Sequence, residues 1–388
     1  MTEIHGTIAP GFEAVGEAFA RNLAEGTEVG AAVAVYAEGR PVVDLWAGLA
    51  DPETGRAWER DTLQLVYSTT KAATAACALL LVQRGELDPD APVAEYWPEF
   101  AAAGKHGIPV RWLLTHQAGL PALDRPLARD AALEWDPMVE ALAAQRPLWE
   151  PGTAHGYHAL TYGWLVGEVV RRISGQSLGT FFREQIAEPF GLDFHIGLPV
   201  PELPRVSRLV QPPPDFDRSI DLDALPEPIR ELARAFADPD SLTRRAYGCV
   251  EPALDHDAEA EQCAEIPATN GICTARGLAR FYAALIGEVD GRRLLSAETL
   301  AAATTEHTRG PDLITHLPFH IGLGLGLPTP ETAWYSPSAF GFSGLGGSLG
   351  CADPETGHAF GYVMNHIRTG PEADQPAAKL TAALLNDC

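Results

Sequence analysis

The sequence predicts an α/β (α+β) fold: an antiparallel sheet flanked by helices and built from both chain ends, with a mostly helical domain inserted between them. Strand signals punctuated by turn residues fill the early chain and return in roughly the last hundred residues. Apolar residues at helical spacing dominate the stretch between. A lone hairpin is marginal in water, so the early and late strands are expected to share one sheet. The expected division is a discontinuous sheet domain, 1–66 with 267–388, and a helical domain, 67–266, with a site in the cleft between them.

Phe12, Val15, Phe19 and Leu23 recur at helical spacing and mark a first helix. The segment GAAVAVYAEGRPVVDLWAGLADPETGRAW then alternates β-branched and aromatic residues, which predicts an antiparallel meander turning at Glu38-Gly39 and at 51–55. A strand-like LQLVY precedes a helix over 69–84, stopped by Gly85. Further helices are expected over 110–116, 137–144, 159–174 and 178–186, with Asp136 as an N-cap, Pro137 in the first turn and Gly175 as a stop. Residues 198–226, rich in proline and aspartate, read as an irregular loop. A helix over 274–286 leads back to strands, where SLGCADPETGHAFGYVMN outlines a hairpin around Asp-Pro-Glu-Thr-Gly.

Composition narrows the function. The 388 residues carry 28 Lys and Arg against 52 Asp and Glu, a net charge of −24. Phosphates need cations opposite them, so neither nucleic acid nor an anionic membrane is expected as a partner. The six cysteines show no C-x-x-C spacing, which argues against a zinc or redox motif, and Cys77 reads as a core residue. The N-terminus lacks a basic start and a continuous apolar run, and no stretch reaches the ~18 apolar residues of a membrane span. A cytoplasmic protein is expected. The sequence carries no sign of oligomeric state.

Ser68-Thr69-Thr70-Lys71 stands where the LQLVY segment gives way to a helix. Residues three apart share a helix face, so the Lys71 ammonium can reach the Ser68 hydroxyl. Serine needs a base at neutral pH, and lysine serves only when its pKa falls from about 10.4. The helix N-terminus would help hold developing negative charge. Only three lysines occur, at 71, 105 and 379, and only Lys71 has Ser three residues before it. The pair alone is equally readable as an N-cap and a solvated lysine. Tyr157, in a turn between Pro151-Gly152 and a helix, can present its phenol to a cleft and relay a proton. Phe342-Ser343-Gly344 opens a glycine-rich strand edge whose bare backbone can donate an N–H to an oxyanion.

With these three segments in this order, the chain resembles the serine β-lactamase and penicillin-binding-protein superfamily, in its class C-like branch, and within it the family VIII carboxylesterases and related acyltransferases. S-x-x-K falls at Ser68 to Lys71, the tyrosine motif at Tyr157-His158-Ala159, and the third motif at Phe342-Ser343-Gly344. LLTHQAGLP at 113–121, PGTAHGYHALTYGWLVGEVV at 151–170 and GGSLGCADPETGHAFGYVMN at 346–365 are similar too. The resemblance implies a β-lactamase/transpeptidase-like fold, Ser68 as nucleophile, Lys71 as its base, Tyr157 as proton relay, and the N–H groups of Ser68 and Leu345 as the oxyanion hole. It implies no metal and no cofactor.

Two departures bear on substrate. Ala159 stands where the β-lactamase pattern has Asn, and Phe342 where it has Lys or His. That cation would bind a substrate carboxylate, and an aromatic ring cannot form such a charge-assisted bond. The expected partner is therefore a small-molecule neutral ester or acyl donor, and the expected reaction is hydrolysis through an acyl-Ser68 intermediate. Alternatives are acyl transfer to an alcohol or amine, weak β-lactamase or D-aminopeptidase-like hydrolysis, and a catalytically inactive binding protein on the same fold. Phe342, Ser343, Gly344, Gln117, His158 and Trp334 are the candidate substrate contacts.

Other motifs compete. Gly346-Gly347-Ser348-Leu349-Gly350 satisfies G-x-S-x-G, but that nucleophile elbow needs a helix after it, and a hairpin is expected here. His316 and His320 are four apart like zinc ligands, but Pro318 interrupts and no third ligand is evident.

Overall fold

The computed structural model describes residues 2–211, 226–329, 336–368 and 375–386. Among them, nine strands form one antiparallel sheet that runs Ile4–Ile8, Arg40–Asp51, Gly30–Ala37, His358–Met364, Leu349–Asp353, Phe340–Ser343, Gly326–Leu327, His320–Ile321, with Arg56–Ala57 paired on Arg40–Asp51. The central seam joins the two ends of the chain, with Ala34 opposite Gly361. This is the mixed, antiparallel-sheet architecture that the strand pattern predicted, and the β-lactamase/transpeptidase-like fold.

Alternation along Gly30–Ala37 explains why this strand lies at the centre. Ala31, Val33 and Val35 face one core with Val15, Phe19, Leu380 and Leu384 from the first and last helices, Glu13–Ala24 and Pro376–Asn386. Ala32, Ala34 and Tyr36 face the other core, shared with the helix Ala275–Ile286 and the helical layer beyond. Glycines let that helix lie close to the sheet: a Cβ on Gly361 would stand 2.5 Å from the Ala275 carbonyl oxygen, and one on Gly350 would stand 2.3 Å from the Tyr282 ring. The meander turns at Glu38 and Gly39, both at positive φ, and the 349–364 hairpin closes with Asp353 opposite His358.

The helix Thr70–Gln83 is apolar on every side and buried from Thr70 through Leu81, as a helix enclosed by both layers must be. Its N-terminus abuts a small sheet of Gln64–Leu65, Gly271–Cys273 and Phe194–Ile196. Helices Thr161–Ser174 and Leu178–Phe182 pack against it. Gly85 and Gly175 both take left-handed backbone at helix ends.

Several expectations are corrected. Asp136 is the first residue of Asp136–Ala144, not its cap; Trp135 holds the cap position, with no side-chain bond. The 110–116 helix stops at Leu114, because His116 turns to φ +59. The 178–186 helix is broken by a π turn at Arg183–Ala187 and runs on to Phe190. LQLVY is a strand only at Gln64–Leu65. In the loop read over 198–226, Val200–Arg205 forms a 3-10 turn, and 212–225 lie outside the described residues. Among the described residues no helix is long and apolar enough to cross a membrane.

Candidate active site

Tyr67 sits at φ +44, and this turns the chain sharply from the small sheet into the helix. Ser68 follows, half-buried between fully buried neighbours, and its carbonyl accepts the Lys71 N–H at 2.9 Å. The spacing of three therefore brings the side chains together: Lys71 Nζ lies 3.2 Å from Ser68 Oγ. Lys71 is wholly buried. Its Nζ also donates to the carbonyls of Ala159 at 2.8 Å and Ala268 at 3.0 Å.

Burial pushes the Lys71 pKa well below the usual lysine range. A neutral amine has two N–H bonds and one lone pair. With the N–H bonds spent on two fixed carbonyls, the lone pair is left for the Ser68 hydroxyl. That is the geometry a general base needs. Lys105 is a useful contrast. It too is buried, donating to the carbonyls of Ala102, Ala143 and Gln145, and burial lowers it to about 8. None of its acceptors is a hydroxyl, so it braces loops.

Tyr157 lies beside this pair, its ring centroid 4.6 Å from Lys71 Nζ. Burial raises the phenol pKa well above 10, Tyr247 and Asp312 add to the rise, and interaction with Ser68 works against it. The phenol is thus a neutral proton carrier, as the relay role expected of it requires. Its backbone is clamped from both sides: Gly156 N–H donates to the His116 carbonyl at 3.1 Å, and His158 N–H donates to His116 Nδ1 at 3.0 Å.

His158 departs from the substrate contact expected of it. Its Nε2 accepts the Leu120 N–H at 3.0 Å and its Nδ1–H donates to the Gly156 carbonyl at 2.7 Å, so neither ring nitrogen is left for a ligand. Gln117 Oε1 accepts from the Thr115 hydroxyl at 2.8 Å, and its carbonyl accepts the Gly152 N–H, which makes it a brace of the same loop. Trp334 lies outside the described residues.

The third segment closes the cleft. Phe342 is buried and stacks on Tyr157, centroids 6.5 Å apart, while Phe319 meets Tyr157 edge-on at 5.6 Å. Phe319 was not legible in the sequence; its neighbours His316 and His320 attracted a metal reading, yet no group of potential metal ligands forms among the described residues. Ser343 ends the strand Phe340–Ser343, half-buried. Gly344 then passes so close to the nucleophile turn that a Cβ would meet the Val66 carbonyl oxygen at 2.2 Å. Leu345 follows with its side chain exposed. Among the described residues, the N–H groups of Ser68 and Leu345 donate to no acceptor. Ser348, the competing serine, is buried, and its hydroxyl donates to the Val66 carbonyl at 2.9 Å, with Thr69 rather than a histidine as its side-chain partner among the described residues.

The rim is apolar. Tyr247 faces Tyr157 and Asp312. Leu313 donates its N–H to the His155 carbonyl, next to the tyrosine segment. Asp312, behind them, accepts the N–H groups of Ile314 and Thr315 at 2.8 Å each.

A model of the Beta-lactamase family matches residues 17–385. The esterase/beta-lactamase LipL of Mycobacterium tuberculosis (strain ATCC 25618 / H37Rv) is 39% identical over 378 residues, covering 94% of this chain and 83% of that protein. Among solved structures, a family VIII carboxylesterase shares 37% identity with a TM-score of 0.88, each chain covered in full. A penicillin-binding-protein homologue from Caulobacter crescentus shares 38% at 0.87, again with both chains fully covered. EstA from Arthrobacter nitroguajacolicus Rue61a shares 31% at 0.86, covering all of this chain and 98% of that one. A buried lysine on a half-exposed serine, in a fold shared over its whole length with these proteins, places the chain in the Beta-lactamase family, within the serine β-lactamase and penicillin-binding-protein superfamily, as a serine hydrolase.

Proposed function

We propose that this protein is a carboxylesterase that hydrolyses neutral, apolar esters through an acyl-Ser68 intermediate. The observation that carries the reading is Phe342, buried and stacked on Tyr157 where a cation would otherwise meet a substrate carboxylate. The rim agrees: Tyr247, Leu313 and Leu345 are 40%, 40% and 58% exposed, an apolar lip that favours an uncharged, hydrophobic substrate.

The steps follow from the geometry. Neutral Lys71 takes the Ser68 proton as Oγ bonds to the ester carbon, and the carbonyl electrons move onto oxygen, held by the N–H groups of Ser68 and Leu345. Collapse breaks the bond to the alkoxide, which takes the Tyr157 phenol proton, and the Lys71 ammonium restores it. Water then attacks the acyl-enzyme, giving up a proton along the same groups, and releases the acid with Ser68 re-protonated. The apolar lip suits an organic alcohol as well as an ester, so acyl transfer is the second reading, using the same three residues.

The test is mass-spectrometric detection of the acyl adduct across p-nitrophenyl esters, a β-lactam and a D-alanyl peptide, with and without added alcohol. The expected result is a Ser68 adduct with the esters, abolished in Ser68→Ala. Transesterified product far exceeding free acid would shift the reading to an acyltransferase. An adduct elsewhere, or an active Ser68→Ala, would overturn it.

A further inference from the structure

The serine of the G-x-S-x-G string is far from inert in the architecture. Ser348 Oγ–H donates to the Val66 carbonyl at 2.9 Å, and its oxygen lies 3.1 Å from Thr69 Oγ1. A hydroxyl has one proton, and that of Ser348 is spent on Val66, so Thr69 donates in the second bond. Thr69 Oγ1 also lies 3.4 Å from the Ser348 carbonyl oxygen. Thr69 immediately follows Ser68, and the Thr69 and Ser348 hydroxyls are buried, with 1% of each residue exposed. On the far side, the Ser348 carbonyl accepts the Gly344 N–H at 2.8 Å, and the Gly344 carbonyl accepts the Gly347 N–H at 3.1 Å. These bonds close a turn with Leu345 at its tip, where Gly346 and Gly347 take φ of +89° and +120°.

We infer that the Thr69–Ser348 hydroxyl pair is a positioning device that sets the separation of the Ser68 and Leu345 N–H groups, the two halves of the proposed oxyanion hole. This rests on the acyl-Ser68 reading. The two N–H groups come from segments 277 positions apart in the chain, 68 and 345. An oxyanion needs both donors at about 2.7–3.1 Å. The Gly344 backbone presses against Val66 and Ser348, but contact alone only sets a closest approach. The two hydroxyl bonds hold the segments in register, with directional bonds to Val66 on one side and to the 344–348 turn on the other. Both side chains are buried, so each acts through the backbone of its neighbour.

The experiment compares Thr69→Val, Thr69→Ser and Ser348→Ala with wild type on a p-nitrophenyl ester, with rates expressed per Ser68 titrated by a fluorophosphonate probe. A tetrahedral boronic acid serves as transition-state analogue and the product acid as ground-state ligand. Thr69→Val and Ser348→Ala should each lose about 10- to 100-fold in kcat/KM, less than deletion of a donor outright. Boronate affinity should fall by the same factor while product-acid affinity stays within about two-fold, because only the transition state uses both N–H groups. The double variant should be no worse than Ser348→Ala alone, since that substitution already removes both hydroxyl bonds. Thr69→Ser, which keeps the hydroxyl, should recover most of the rate. If Ser348→Ala does not fold, the Thr69 pair decides alone. The inference fails if Thr69→Val keeps its rate and boronate affinity, or if affinity for both ligands falls together. Failure of the parent reading looks different: Ser68 would carry no probe in the wild type.

Discussion

Replacing Lys71 with methionine separates its role as a base from its role as packing. Methionine approaches lysine in length and fits a fully enclosed site, but it cannot accept a proton or donate to the Ala159 and Ala268 carbonyls. Two buried carbonyls left unpaired cost about 1–3 kcal/mol each, so the variant should be less stable by about 2–6 kcal/mol and remain assayable at low temperature. Loss of a positioned base costs about 10²- to 10⁴-fold in rate, and kcat on a p-nitrophenyl ester should fall into that range while the fold persists by circular dichroism. The wild-type pH profile carries the same reasoning. Lys71 is shifted down by burial, so the acid limb of kcat/KM should fall well below the usual lysine range. Tyr157 is shifted up, so the phenol stays protonated and no alkaline limb from it should appear below about pH 10. A folded Lys71→Met variant within tenfold of wild type, or an acid limb near an ordinary lysine pKa, would refute the assignment.

Two further outcomes are expected. Phe342→Lys supplies the missing cation, and a charge-assisted bond of about 1.5–3 kcal/mol should raise kcat/KM for an anionic cephalosporin by about tenfold or more, while apolar esters react more slowly; unchanged cephalosporin hydrolysis removes the reason for preferring neutral substrates. Glu28, buried against the Tyr362 hydroxyl, is raised by desolvation to about 8. It binds a proton in the folded state that the unfolded chain has released, so stability from this group is full below about pH 4.5 and is lost as pH rises to about 8. Glu28→Gln removes that dependence: melting temperatures of variant and wild type should lie close at pH 5 and separate in the variant's favour by pH 9, and a constant gap would contradict the assignment.

What the sequence made legible was what short-range geometry encodes. A spacing of three puts Lys71 on Ser68 in any helix, and Asp-Pro-Glu-Thr-Gly between apolar runs closes the 349–364 hairpin in any sheet. The order of the three motifs then pointed to Tyr157 and Phe342, which the fold brings into contact. The rest depended on groups that side-chain identity does not mark. The carbonyls that orient Lys71 belong to two alanines, and every residue offers a carbonyl. Phe319 reaches Tyr157 from just before the edge strand His320–Ile321, a meeting of distant segments that no local pattern marks. His158 looked like a ligand because it adjoins Tyr157, but loop backbone takes both its nitrogens.

The two competing serines show why a motif string cannot settle reactivity. Both hydroxyls lie in the same corner of the molecule, on either side of Val66 and Thr69, and their intrinsic chemistry is identical. Ser348 donates its proton to a carbonyl oxygen, which can accept a hydrogen bond but cannot carry the proton away at neutral pH. Ser68 faces an amine that burial has left ready to take one. Exposure points the same way, since Ser348 is sealed and Ser68 opens toward the cleft. The motif glycines also have their own explanation: Gly346, like Gly347, takes positive φ in the 344–348 turn, and a Cβ on Gly350 would meet the Tyr282 ring at 2.3 Å. A string that names a nucleophile in another fold here describes a strand turn. Its serine fastens that turn to the segment carrying Ser68.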